Sequence, residues 1–191
     1  MTAVTSTAIA PGLLLSMPQL ADPHFTRAVV LMIEHGDNGS FGLIVNQPSD
    51  LRAAQLLASL EIPWHGAASE MVWAGGPVQP NTGWVLHEPV AGLDEGDPRG
   101  TVEIHAGLVL STSPDKLRAL AAAPPRRLRL LLGYSGWGPG QLAAEMARGS
   151  WLHAAPAPDL VFDTPADAMW HSALRTLGVD AENIVQSRGV H

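Results

Sequence analysis

"LLLGYSGWGPGQLAAE", Leu130 to Glu145, joins an apolar run to a helix-forming run through four glycines, Gly133, Gly136, Gly138 and Gly140. The apolar run predicts a buried strand, and Gln141 to Arg148 predicts a helix that Gly149 stops. Strand, glycine turn and helix is the layout of both a phosphate cradle and a nucleophile elbow. Neither fits in detail. An elbow needs glycine two residues after its serine, and Trp137 stands there after Ser135. A Walker loop needs a lysine, and the chain's only one is Lys116. A dinucleotide loop needs G-x-G-x-x-G, whereas Pro139 breaks the spacing and removes an N–H. The stretch therefore predicts a strand-to-helix corner with Trp137 packed over it. Just beyond the glycines, Gln141 and Glu145 lie one helical turn apart on one face.

Outward from that corner, "RAVVLMIEHGDNGSFGLIVNQP" reads as a hairpin turning at Asp37-Asn38-Gly39. Val29 to Ile33 suits a strand buried on both faces, and Pro48 is expected to end the second strand. Asp50 to Glu61 has helical spacing, with Ser49 or Asp50 as cap and Pro63 as stop. "MVWAGGPVQPNTGWVLH" reads strand, turn, strand. "AGLDEGDPRG" is polar and turn-rich, the best candidate for a mobile loop. "TVEIHAGLVLS" predicts a strand region bent at Gly107, and Ser113-Pro114 opens a helix. "DLVFD" predicts a short strand, and Thr164-Pro165-Ala166-Asp167 opens the last helix, which ends at Gly178. This order is neither strict βαβ alternation nor separate blocks, so it predicts a mixed sheet with helices packed on it.

Composition narrows the function. With 46% hydrophobic and 15% charged residues the chain is globular, and no apolar run reaches the length of a membrane span. There is no cysteine, hence no thiol nucleophile or thiolate metal site. The start is a poor signal peptide, and a cytoplasmic address is expected. Net charge is −7, with three arginines against twelve acids from Met1 to Asp115. That balance argues against direct nucleic-acid binding, which needs cations to displace counterions. The one basic cluster is Lys116, Arg118, Arg126, Arg127 and Arg129, of which Arg127 and Arg129 share a strand face and could form a small anion patch.

Eight histidines are spread without a local zinc spacing, so no metal or other cofactor is expected. A cross-strand site from Glu34, His35, His87 and His105 would be the enzymatic alternative. Asn46 sits where the hairpin's second strand ends, placed either to bind a ligand or to satisfy nearby backbone groups. The tryptophans read as core or packing lids, because a stacking platform for bases would want basic neighbours.

Four segments, in order, resemble the AlgH (YqgE) family of bacterial proteins: Leu13–Pro48, Val72–His87, Leu130–Glu145 and Trp151–Pro165. The resemblance implies an α+β fold with a mixed, bifurcated, partly barrel-like β-sheet flanked by helices. It implies a single AlgH-like domain over 11–191 and a bacterial cytosolic protein, while the start up to Pro11 and Gly12 reads as a disordered tail over residues 1–10. Family members have been labelled transcriptional regulators, without a recognisable DNA-binding module and without agreed catalytic residues. Motif positions carried over as a candidate ligand or partner surface are Asp22, His35, Asn46, Gly75, Gly76, Gly136, Trp137, Gln141 and Glu145. The chain departs from the family pattern at His24, Gln47 and Ala144, the last two removing a charge of each sign. The resulting expectation is a non-enzymatic binding or regulatory protein, acting on a protein partner or small ligand in a cleft near Asn46, Gly75-Gly76 and Gly136 to Glu145. The rival expectation is a hydrolase or metal-dependent enzyme using a His/Glu/Asn constellation there.

Overall fold

The structure is a computed structural model and describes residues 8–186. Most of the tail expected over 1–10 lies outside the described residues, while Ile9 and Ala10 pack against the core. Strand β1, Gly12–Ser16, is followed by a single 3-10 turn at Pro23–Phe25, and then by β2, Val29–Gly36, and β3, Gly39–Ile44. The hairpin turns at Asp37-Asn38, with Gly39 at φ 128°. Strand β10, Trp151–Ala154, joins the far side of β1, which gives the order β10-β1-β2-β3. This half-sheet is buried on both faces by alternation. Leu13, Leu15, Val29 and Leu31 face one core, while Leu14, Val30 and Met32 face another.

Strands β5, Met71–Ala74, β6, Val78–His87, and β9, Leu128–Trp137, build the second half with the β7–β8 hairpin, Thr101–His105 and Leu108–Ser111. The whole forms a ten-stranded, mixed sheet. It is antiparallel except for β5 against β9, where Val72 to Ala74 run beside Leu130 to Leu132. Strand β9 is where the sheet forks. Its first half pairs with β5, and its last residues, Ser135 to Trp137, pair with Gly42 to Ser40 of β3. Strand β6 lines the opposite edge of β9, with a register shift between Val78 and Gly83. The α+β, bifurcated and half-barrel architecture is thus present.

Six helices cover the sheet among the described residues. Helices α1, Ala53–Ser59, and α2, Pro114–Ala122, cover one apolar cluster through Leu57 and Leu120. Helix α3, Gln141–Ala147, places Leu142 beside Trp137 and Trp151. Helices α4, Pro158–Asp163, and α5, Ala166–Thr176, close the cluster around Trp170, and α6, Ala181–Gln186, follows.

Three sequence expectations are corrected. "DLVFD" is not a strand but lies in α4, with Pro158 at the helix start and Val161 and Phe162 buried; a short apolar run does not separate the two states by itself. The helix expected from Asp50 begins at Ala53, because Pro48–Arg52 pairs with β5 as strand β4. Ser49 Oγ donates to the Val72 carbonyl, 2.6 Å, instead of capping a helix. Pro48 accordingly opens an edge strand, where its missing N–H is tolerated. The loop at 91–100 is pinned rather than open. The buried Lys116 ammonium donates to the Leu93 carbonyl, the Asp94 carboxylate and the Asp97 carbonyl at 2.5, 2.8 and 2.8 Å.

Candidate functional site

The nine positions carried over from the family motifs do not form one cleft. Gly75 and Gly76 form the fork. The Gly75 carbonyl accepts from Ile44 N at 2.8 Å and from Ser135 Oγ at 3.2 Å, and Gly75 N donates to Leu132 O at 2.8 Å. One glycine residue thus ties β3, β5 and β9 together. At Gly76, φ is 150° and an added Cβ would overlap the Tyr134 carbonyl. Ser135 is fully buried with its hydroxyl turned to this junction, so the serine in the elbow-like motif is a structural donor.

Trp137, Gln141 and Glu145 meet on the other side. One Glu145 oxygen, Oε2, accepts both the Trp137 indole N–H at 3.0 Å and the Trp151 indole N–H at 2.8 Å. The other accepts Gln141 Nε2 at 3.0 Å, and Gln141 Oε1 accepts Gly138 N at 3.0 Å. The carboxylate therefore fastens the glycine corner to α3 and β10. Phe25 stacks on Trp137, with centroids 6.3 Å apart, and meets Trp151 edge-on at 5.4 Å.

Asn46 stands apart from both. Its Oδ1 accepts from Val29 N and its Nδ2 donates to the Arg27 carbonyl, each at 2.9 Å. Asp22 caps the 3-10 turn, accepting from His24 N at 2.9 Å with His24 Nδ1 at 3.0 Å. His35 lies near the tip of the β2–β3 hairpin with Nδ1 2.7 Å from Ser40 Oγ.

The enzymatic constellation does not assemble. Among the described residues no group of three or more His, Cys, Asp or Glu side chains converges to hold a metal, so Glu34, His35, His87 and His105 form no such site. His87 is fully buried, with Nε2 2.8 Å from Ser111 Oγ and Nδ1 2.7 Å from the Glu88 carbonyl. Burial pushes its pKa below the ordinary imidazole value. The anion patch proves equally absent. Arg127 pairs with Asp159 and Asp163. Arg129 lies over the Trp73 ring at 4.7 Å and donates to the Phe162 carbonyl at 2.9 Å. Burial lowers the Arg129 pKa and raises that of Glu70, 3.9 Å away, outweighing their mutual attraction.

Several concavities open among the described residues, and two that the sequence reading did not locate are lined by both aromatic rings and a carboxylate. The first, about 690 Å³, opens between the β2–β3 hairpin and the irregular stretch of β6. Phe41, Trp84 and Tyr134 line it and touch one another, with centroids 5.0, 5.2 and 6.2 Å apart. Gly136 and Trp137 also line it, and among the described residues Glu34 is its only charged lining residue. The second, about 430 Å³, lies between the loop after β1 and Trp170, with Asp22 and Arg27 in its wall. Strand register brings these residues together, since Phe41 pairs with Gly136, Trp84 with Leu131 and Tyr134 with Val78.

Comparison with known proteins agrees with the fold. The AlgH-like family model matches residues 13–182, and the chain belongs to that family. It is 41% identical to a UPF0301 protein of Myxococcus xanthus over 184 residues, covering 96% of this chain and 98% of that one. It is 43% identical to a UPF0301 protein of Ruegeria pomeroyi over 180 residues, covering 93% and 96%. The solution structure of the AlgH protein from Pseudomonas aeruginosa superposes with a TM-score of 0.76 at 33% identity, covering both chains fully. A crystal structure from Corynebacterium diphtheriae shares the fold, with a TM-score of 0.68 at 24% identity over 87% of this chain and 86% of that one.

Proposed function

We propose that this member of the AlgH-like family is a non-enzymatic binding protein that takes a cationic or amine-bearing group in the groove floored by Phe41, Trp84 and Tyr134. One observation carries the reading: three aromatic rings in mutual contact line an open groove whose single charged lining residue, among the described residues, is a carboxylate, Glu34. Ring faces carry negative quadrupole charge and attract ammonium or guanidinium groups. Glu34 adds an ionic partner, and no lining cation opposes it. A basic side chain of a protein partner and a small amine would both satisfy this chemistry. A regulatory effect would then pass through that partner rather than through DNA.

The test is intrinsic tryptophan fluorescence with phenethylamine as probe, on the parent, Trp84→Leu and Glu34→Gln. Saturable binding by the parent, weakened about tenfold in each variant, is the expected result. Absent saturation, or equal affinity in all three proteins, overturns the reading.

A hydrolase reading rests on the contact of Ser40 Oγ with His35 Nδ1 at the groove's lip. It stands second because, among the described residues, no acid holds the far nitrogen of His35, as a nucleophile–base pair wants. Covalent labelling by a fluorophosphonate, lost in Ser40→Ala, would promote it.

A further inference from the structure

Arg27 occupies the left-handed region at φ 49°, a conformation glycine would hold without strain. The surrounding backbone fixes it there. Asn46 holds its carbonyl, Ser16 Oγ accepts the next N–H, that of Ala28, at 2.8 Å, and the Asn46 side chain also takes Val29 N. The preceding turn is rigid as well, capped by Asp22 and anchored by Phe25 between Trp137 and Trp151. Yet within the described fold the arginine side chain makes only a cation–π contact. It is exposed, it pairs with no carboxylate or carbonyl, and its guanidinium lies 5.8 Å from the Trp170 ring centroid. Strain of this kind clusters at active sites and ligand clamps.

That guanidinium borders the second concavity, about 430 Å³, whose walls include Met17, Leu20, Pro23 and Trp170. A volume of this order suits a small organic ligand, and largely apolar walls with a few polar groups are the usual composition of such a site. A guanidinium fork matches a carboxylate through two parallel N–H···O bonds. Asp22 lines the same pocket, and its negative charge disfavours multiply charged anions there. We propose that Arg27 and the Trp170-walled pocket form a binding site for a monocarboxylate with an apolar body. This site is separate from the aromatic groove and opposite to it in charge preference. Asn46 is a positioning residue here, because it holds the Arg27 carbonyl and does not line the pocket.

Calorimetric titration of the whole chain with phenylacetate tests this, with inorganic phosphate and phenethylamine as controls. Phenethylamine reports the groove of the preceding proposal, so the two sites fail or succeed separately. The parent should bind phenylacetate saturably and phosphate more weakly. Arg27→Gly should bind phenylacetate at least about tenfold more weakly, while melting at the same temperature as the parent or higher. Arg27→Lys, which keeps the charge but not the fork, should fall between them. Three results overturn the proposal: no saturable binding of phenylacetate by the parent, undiminished binding by Arg27→Gly, or phosphate binding as tight as phenylacetate. A lower melting temperature for Arg27→Gly would also overturn it, by showing that the arginine holds the fold.

Discussion

Glu145 illustrates how a polar residue in a motif can be architectural. Its Oε2 serves two indole N–H groups from different strands, and its Oε1 serves Gln141. Removing it leaves both indoles without an acceptor inside a partly buried cluster. Glu145→Ala should therefore cost about 2–4 kcal/mol, the range for losing charged acceptors of buried donors, and Glu145→Gln clearly less. Urea midpoints measure both. The same scale separates strain that terminates a helix from strain that borders a cavity. Among non-glycine residues at positive φ, Glu61 follows α1, with Ile62 N reaching back to Leu57 O at 2.9 Å, a helix-ending arrangement. The other two, Gln79 and Arg27, each line one of the two concavities. His87 sets a pH dependence. Burial holds its folded pKa below the ordinary value near 6.5, so above that value neither folded nor unfolded chain binds the proton. Below it the unfolded chain protonates first, and stability falls until the folded pKa is passed. The melting temperature should fall between about pH 7 and pH 5, and less steeply in His87→Gln. His153, also pushed down by burial, keeps part of the slope in that variant.

At the scale of elements the fork decides the architecture. Gly76→Ala would force a Cβ into the Tyr134 backbone at a φ of 150°, where neither chain can yield without breaking β9 from its neighbours. A loss of about 3 kcal/mol or more is expected, enough to threaten folding outright. Gly138→Ala is the matched control, because the nearest atom to its Cβ is Gln141 Oε1 at 3.9 Å, and the urea midpoint should move little. The sequence made the elements legible where a local signal existed. Asp37-Asn38-Gly39 marked the hairpin, Ser113-Pro114 marked α2, and the glycine corner marked the passage from β9 to α3. It left open what only distant partners settle. Ser135 reaches Gly75 across sixty positions, so nothing near "GYSGWGPG" says that its serine faces a carbonyl instead of a substrate. Residues 50–52 look like the start of a helix until β5 lies beside their strand. Asn46 and Glu145 were visible as polar residues at motif positions, but their roles depend on Arg27, Trp137 and Trp151, which register and packing bring to them. Phe41, Trp84 and Tyr134 come from three strands, and one sequence without partners gives no register to unite them.

Charge is a property of the whole molecule, and here it bears on how a regulatory effect could arise. The net charge is −7, and the basic residues that the sequence clusters between Lys116 and Arg129 are mostly engaged internally. Lys116 is buried against the 93–97 loop, Arg118 pairs with Asp115, Arg127 with Asp159 and Asp163, and Arg129 lies against Trp73 and the Phe162 carbonyl. Arg126 remains exposed with no acid paired to it among the described residues, a single charge of this cluster where a duplex would need a face. Each phosphate contact requires a cation free to displace a counterion, so these engaged groups would have to abandon their own acids first. Electrophoresis with duplex DNA at about 50 mM salt should show no retardation at protein concentrations where phenethylamine binding saturates. Retardation that survives and is abolished by Arg126→Ala would reverse the conclusion, since it would show a cationic face assembled by this chain despite its acidic balance. Absence of retardation is the outcome expected of an acidic chain whose clustered basic groups are engaged internally.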